Sequence, residues 1–478
     1  MKRNIALFFI ALVSSLMTVQ LYKFLNSVAV IATILTLSGT AALAQDPPQV
    51  VEALKVEGAR VTLPVSVAIT KDVFTPEFIR SARENWGNFH FQMGGDHALY
   101  YAMHLGEFMP SAEASPNVNY KVLERDLRPE LLYLKQSTSK GDLTLQEYMV
   151  DPLYRAQAMI MVHKGKVVYE NYPGMRPTDR HLTASTGKIT VGAVLMQLIA
   201  EGKVDLKKPF TEYVTELKGT VWDDVSTYAV ANMTTGLDNE ETVEALLQPD
   251  SPVTRFLATT LGSPRATTGV VEGWIDVARD QKKLGNGEKP GDVTRYASLN
   301  TTVLTRLIEN IENKPFVEVF QERFWSKLYA RQSMMFGLTP DGTALPVGLA
   351  MATPEDYAKF GVMFTPSWSA VASERVVTDE MMKILYDNVD KERYAKGAKL
   401  KSSEAQFNEA AQGYALQFDY VWDDGAIAKS GNMGQMIYID PKRDFVSVYF
   451  STIPFVDGYG EFKAGAYQRA AAKMLAGE

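Results

Sequence analysis

Six short, β-prone runs lie at two places in this 478-residue chain. The first pair, residues 158–162 and 167–172, is joined by His163-Lys164-Gly165-Lys166. Apolar runs split by a short polar stretch containing glycine read as a hairpin. The other four runs, 414–421, 426–430, 435–439 and 445–451, come late in the chain. Asp423-Asp424-Gly425 and Asp440-Pro441-Lys442 supply good turn chemistry between them. Residues from about 206 to 410 mix helical segments with turns, and a closing helix is expected at about 461–475. Strands at both ends of a chain pair most simply as one antiparallel sheet. The expected fold is therefore α/β of the α+β kind: a sheet from both chain ends, flanked by helices, with an inserted helical lobe. A hydrophobic fraction of 46% is enough for a sizeable core.

Thr183-Ala184-Ser185-Thr186-Gly187-Lys188 stands at the head of one helical run. Val191, Val194, Leu195, Leu198 and Ile199 follow at helical spacing, and Gly202 ends the run. Positions i and i+3 share a helix face, so the Ser185 hydroxyl and the Lys188 amine point into the same space. That is a nucleophile beside its base. A helix start disfavours an ammonium and favours a developing oxyanion, and burial lowers a lysine pKa. Ser185 equally fits an ordinary helix cap. A second copy, Ser137-Thr138-Ser139-Lys140, lies in a polar stretch with no apolar helix behind it, and 137–142 reads as a linker loop.

Two further stretches bear on Ser185. Arg295-Tyr296-Ala297-Ser298-Leu299-Asn300 places a phenol just before a helix expected at about 300–311. A phenol there can relay protons beside Lys188, or simply pack. Lys429-Ser430-Gly431-Asn432-Met433-Gly434-Gln435 ends one strand and begins the next. Its glycines let a substrate lie against backbone, and an edge strand would offer an N–H to pair with that of Ser185 around an oxyanion. A glycine-rich β-turn is the plainer alternative. Elsewhere, Thr353-Pro354-Glu355-Asp356 announces a capped helix. Residues 390–404 are charged and read as a solvated loop or a lid, and 50–67 as one or two strands. His90, His97 and His104 are spaced seven and seven without a paired acid motif. They fit half-buried histidines in an aromatic layer better than a metal set.

Taken in order, Ser185-Thr186-Gly187-Lys188, Tyr296-Ala297-Ser298 and Lys429-Ser430-Gly431 resemble the three elements of the serine β-lactamase and penicillin-binding-protein superfamily. The tyrosine places the chain near class C β-lactamases, DD-peptidases and family VIII esterases. The 6-aminohexanoate-dimer hydrolases are the most similar in look. Tyr296 to Leu304, Gly431 to Pro441, Asn232-Met233-Thr234-Thr235-Gly236-Leu237 and Gly348-Leu349-Ala350 all resemble stretches of theirs. The likeness runs from roughly residue 98 onward. It implies a β-lactamase/transpeptidase-like fold and an acyl-enzyme on Ser185. It also implies shared acid–base work by Lys188 and Tyr296, and an oxyanion hole from the N–H groups of Ser185 and Asn432. Ser298, Lys429, Ser430 and Gly431 are implied to place substrate or proton. Ser298 stands where class C β-lactamases carry asparagine, which weakens a β-lactamase reading. Lys429-Ser430 keeps chemistry suited to a substrate carboxylate. The implied activity is amide or ester hydrolysis, with β-lactamase, D-amino-acid peptidase and a non-catalytic penicillin-recognising module as alternatives.

The composition sets further bounds. The first 44 residues hold Lys2, Arg3 and Lys23 and no acid, leaving 46 basic and 56 acidic residues, or −10, in the remainder. So acidic a chain without a basic stripe is a poor nucleic-acid binder. No cysteine is present, which excludes disulfides and thiolate chemistry. No metal or cofactor is implied; the expected partner is a small-molecule amide or ester, and nothing in the patterning sets an oligomeric state. Residues 1–44 read as a signal peptide, with Met17 as an alternative start and Ala42-Leu43-Ala44 as the cleavage pattern. The apolar stretches are short for a spanning helix. The expected layout is 1–44 signal peptide, 45–150 N-terminal extension and 151–478 hydrolase domain, in a periplasmic or secreted protein with no stable membrane span after cleavage.

Overall fold

A computed structural model of the protein describes residues 57–87, 91, 94–454 and 462–478. The expected signal peptide and His90 lie outside the described residues. The principal strands are β1 (Ala156–His163), β2 (Lys166–Asn171), β3 (Gly413–Ala415), β4 (Phe418–Val421), β5 (Ile427–Ser430), β6 (Met436–Asp440) and β7 (Phe445–Ser451). They form one antiparallel sheet in the order β2-β1-β7-β6-β5-β4-β3. The two chain ends meet where β7 pairs with β1, with Val448 opposite Ile160. The β1–β2 turn uses Lys164 at φ 50° and Gly165 at φ 74°, the left-handed pair that a two-residue hairpin needs.

The helices that matter here are α1 (Lys188–Ala200), α2 (Ser298–Glu312), α3 (Pro354–Val362), α4 (Ala398–Phe407) and α5 (Ala464–Leu475). Side chains alternate across a strand, so each apolar strand feeds two cores. Ala158, Ile160, Val162, Val446, Val448 and Phe450 pack with Val191, Val194, Leu195 and Leu198 of α1 and with Tyr357 and Phe360 of α3. Met159, Met161, Tyr438 and Tyr449 pack on the other face with Tyr467, Ala471 and Ala472 of α5. Helix–sheet–helix layering explains why these strands read as apolar runs and not as alternating ones. Each fully buried aliphatic side chain of α1 adds about 1.5–3 kcal/mol, which anchors the helix that carries Lys188. Gly192, inside α1, is explained by close approach: a Cβ there would stand 2.3 Å from the Leu416 carbonyl oxygen.

A second, four-stranded sheet has the order Ser111–Ala114, Met334–Gly337, Ala350–Ala352, His181–Leu182. It places His181 and Leu182 directly ahead of the Ser185 turn.

Several expectations need correction. Residues 137–142 are not a linker: Lys135–Thr138 and Gly141–Thr144 form a hairpin, closed by Thr138 Oγ donating to the Gly141 carbonyl and by Gly141 at φ 94°. The run 414–421 is two strands, β3 and β4. Leu416 and Gln417 turn the chain at φ 44° and 78°, tied down by Leu416 N–H to Asn232 Oδ1 and Gln417 Nε2–H to the Ala231 carbonyl. Residues 390–404 are not a loop but fall in two helices, Lys391–Lys396 and α4; Asp390 caps the first through Arg393 N–H. No strand forms in 57–67, because Thr62 and Leu63 give their N–H groups to the Asp96 carboxylate instead of to a ladder. Finally, β5 is not an outer strand of the sheet: β6 pairs with it from Ile427 to Ser430, and β4 pairs with Ile427 and Ala428 on the other side.

Thr353 caps α3 through Asp356 N–H with Pro354 in the first turn, as its sequence announces. His97 and His104 sit in an aromatic layer: His97 meets Phe78 edge-on at 5.3 Å and His104 stacks on Tyr100 at 4.0 Å. Among the described residues, no group of three or more His, Cys, Asp or Glu is placed to hold a metal ion. None of the described helices is long and apolar enough to cross a membrane.

Candidate active site

Ser185 lies on a 3₁₀ turn, Ala184–Gly187, that runs straight into α1. Ala184 holds φ 45°, a left-handed value that costs a residue bearing a Cβ. Such strain is tolerated where neighbours over-determine the turn, and three do so here. Thr186 Oγ donates to the Thr183 carbonyl at 2.7 Å. Gly187 leaves room for Pro346, whose carbonyl oxygen would be 2.7 Å from a Cβ at 187. Gly431 lies over Ser185: a Cβ on it would be 3.0 Å from the Ser185 nitrogen and 3.1 Å from Ala184 Cβ.

Lys188 is completely buried, whereas Ser185 is half-buried. The Lys188 Nζ stands 3.0 Å from Ser185 Oγ and 2.9 Å from Ser298 Oγ, and it also hydrogen-bonds the Val347 carbonyl. Burial drives its pKa down to about 7; Lys429 and Lys399 push the same way, against Glu241 and Asp419. Near neutral pH the amine is therefore about half uncharged. Ser298 opens α2, and its N–H goes to Glu241 Oε1 at 2.6 Å. The Glu241 N–H in turn donates to the Tyr296 carbonyl at 2.9 Å, so one residue fastens the 296–298 turn twice.

Tyr296 stands between three lysines. The ammonium nitrogens of Lys188, Lys399 and Lys429 lie 5.0, 4.3 and 4.8 Å from its ring centroid. Lys429, fully buried on β5, donates to Asp419 Oδ1 at 2.5 Å. Ser430 Oγ donates to Asp419 Oδ2 at 3.2 Å, and Lys399 donates to the same oxygen at 3.0 Å. Burial pushes the Asp419 carboxyl up, but Lys399 and Lys429 outweigh it and hold it below the usual range. Burial lowers Lys429 to about 8, with Asp419 opposing. Asn432 begins the 3₁₀ turn Asn432–Gly434, which packs against the Ser185 turn.

The structure thus gathers Ser185, Lys188, Tyr296, Ser298, Lys429, Ser430, Gly431 and Asn432 in one place. The Ser137–Lys140 copy is elsewhere, with Lys140 paired to Asp151 on the surface. Sequence reasoning missed four members. Val347 acts through its carbonyl, which no side-chain pattern encodes. Glu241 and Lys399 come from polar stretches that look like ordinary surface. Asp419 did carry a signal: an acid between Phe418 and Tyr420 in an apolar strand must be buried and paired.

The family model for β-lactamase matches residues 144–472, which contain every residue of this cluster. The chain belongs to the β-lactamase family. Within that family it is similar to a 6-aminohexanoate-dimer hydrolase from Paenarthrobacter ureafaciens, 28% identical over 360 residues, or 74% of this chain and 85% of that protein. It shares its fold with a solved structure from Bacillus anthracis described as a candidate 6-aminohexanoate-dimer hydrolase. That superposition has TM-score 0.63 at 21% identity, covering 79% of this chain and 93% of the other. The β-lactamase-like fold that the resemblance implies is the fold observed, and the protein is a hydrolase of this family.

Proposed function

We propose that this β-lactamase-family hydrolase cleaves an amide or ester bond of a small molecule through an acyl-enzyme on Ser185. The observation that carries the reading is the buried Lys188 amine, 3.0 Å from the Ser185 hydroxyl with a pKa near 7. A neutral amine has two N–H donors and one lone pair. The Val347 carbonyl can only accept, so it takes one N–H. Ser298 Oγ takes the other, and the lone pair is left for the Ser185 proton. Ser185 attacks the carbonyl as Lys188 removes its proton. Tyr296, beside the same ammonium, shares the proton work and helps return it to the leaving group. The N–H groups of Ser185 and Asn432 bind the oxyanion. Water then attacks the acyl-enzyme by the reverse route.

Short p-nitrophenyl esters, the linear dimer of 6-aminohexanoate and nitrocefin, assayed in parallel, test the reading. Turnover of ester or linear amide, with an acyl adduct on Ser185 in intact-mass spectra, is expected. Fast nitrocefin turnover without esterase activity would replace it with a β-lactamase. A single acylation without turnover would make the protein a penicillin-recognising module.

The protein is also proposed to be exported, on the strength of Lys23 and the Ala42-Leu43-Ala44 pattern. The mature chain should begin at Gln45, which N-terminal sequencing reads. A chain that keeps residues 17–44 overturns cleavage.

A further inference from the structure

The motif pair that suits a substrate carboxylate, Lys429 and Ser430, is already engaged. Both point at Asp419, at 2.5 and 3.2 Å. Asp419 and Lys429 have no solvent exposure, and Ser430 has 3%. The second Asp419 oxygen is covered by Lys399, which α4 delivers from the face that also buries Ser403, Gln406 and Phe407. Both carboxylate oxygens are therefore satisfied, and both ammonium groups are matched. Glu241 adds a second carboxylate within electrostatic reach of Lys188 and Lys429. With Lys188 neutral, two ammonium groups face two carboxylates, and no surplus positive charge remains for an incoming anion. A substrate carboxylate directed to Lys429 and Ser430 would meet Asp419, and like charges that close repel strongly away from water.

We propose that Asp419, clamped between Lys399 and Lys429, is an internal counter-ion that closes the Lys429–Ser430 pair to substrate carboxylates, so that the cleft selects amides and esters uncharged beside the scissile bond. This deepens the reading of Ser185 as acyl-enzyme nucleophile and rests on it. Asp419 and Lys399 are specificity residues here; neither takes part in bond making.

Two matched pairs test the proposal on either side of the scissile bond. On the acyl side, p-nitrophenyl butyrate is compared with mono-p-nitrophenyl glutarate. On the leaving-group side, phenyl butyrate is compared with 3-carboxyphenyl butyrate. In the wild type, kcat/KM for the neutral member should exceed that for the charged one by about tenfold or more in at least one pair. Asp419→Asn removes the negative charge and should narrow that ratio about tenfold, whatever it does to absolute rates. Lys399→Met leaves Asp419 less compensated and should widen it. A purely structural role would not move one ratio in opposite directions, and either variant suffices if the other fails to fold. Equal rates on neutral and charged substrates, or ratios unmoved by both variants, overturn the proposal. Absence of hydrolysis of all four esters would instead overturn the acyl-enzyme reading itself.

Discussion

Ser185→Ala is expected to lower kcat/KM for any ester or amide substrate by about 10⁴-fold to 10⁶-fold, with the fold intact. Removing the nucleophile of a serine hydrolase has effects of this order, because the remaining oxyanion and binding groups cannot replace the covalent step. The prediction is sharp because Lys188 has two hydroxyl neighbours at nearly equal distance, Ser185 at 3.0 Å and Ser298 at 2.9 Å. Burial decides between them. Ser298 is 6% exposed, opens α2, and has its N–H locked to Glu241. Ser185 is half-buried, more exposed than Ser298, on a strained turn beside Gly431. Ser298→Ala should therefore cost roughly tenfold to a hundredfold, the scale of losing a partner that holds the base in place. Steady-state kinetics on a p-nitrophenyl ester, with melting temperatures of both variants, read the result. A Ser185→Ala protein retaining more than about 1% of activity, or a Ser298→Ala protein losing more than Ser185→Ala, would give the nucleophile to another group.

What was legible in the sequence divides along physical lines. Ser185 and Lys188 were readable because local helix geometry puts i and i+3 on one face, and the apolar positions of α1 guarantee that the face is buried. Most of the seven-stranded sheet was readable because its strands fall in apolar runs separated by Asp-Gly and Pro turns, although 414–421 read as one run and not two. The second sheet was not: Ser111–Ala114, Ala350–Ala352 and His181–Leu182 are too short to show a period. The hairpin at 135–144 escaped because its side chains are largely solvated, so its polarity mimics a linker. The tight turn at Leu416–Gln417 escaped because neither residue is a turn former; Asn232 and Ala231 impose it from 184 and 186 residues away. The charge balance of the site was hidden for the same reason. Lys399, Asp419 and Glu241 acquire meaning only when tertiary contacts bring them to Lys188 and Lys429. The one local clue was an acid inside an apolar strand.

Lys188 should prove to be a base and not a cation, and two variants with one pH series separate the roles. Its pKa of about 7 lies well below the ordinary lysine value, chiefly through burial. The reactive form is the neutral amine, so the sign follows directly. Below pH 7 the amine is protonated and kcat/KM of the free enzyme should fall about tenfold per pH unit; above pH 7 it should level off. Lys429, near 8, titrates in the same cluster, so the apparent midpoint belongs to the coupled lysines and the plateau should bend as Lys429 loses its proton. Lys188→Met should reduce kcat/KM about 10³-fold to 10⁴-fold and erase the limb near pH 7, the scale of losing a positioned general base. Lys188→Arg is the decisive comparison. A guanidinium stays protonated throughout this range and keeps the positive charge while removing the lone pair. If Lys188 served as an electrostatic anchor for substrate or oxyanion, the arginine variant would retain much of the activity. The proposed neutral form argues the other way: once its two N–H groups go to the Val347 carbonyl and Ser298, its lone pair is left for the Ser185 hydroxyl 3.0 Å away. Lys188→Arg should therefore be as inactive as Lys188→Met at every pH, and a residual rate above about a tenth of wild type would return Lys188 to a purely electrostatic role.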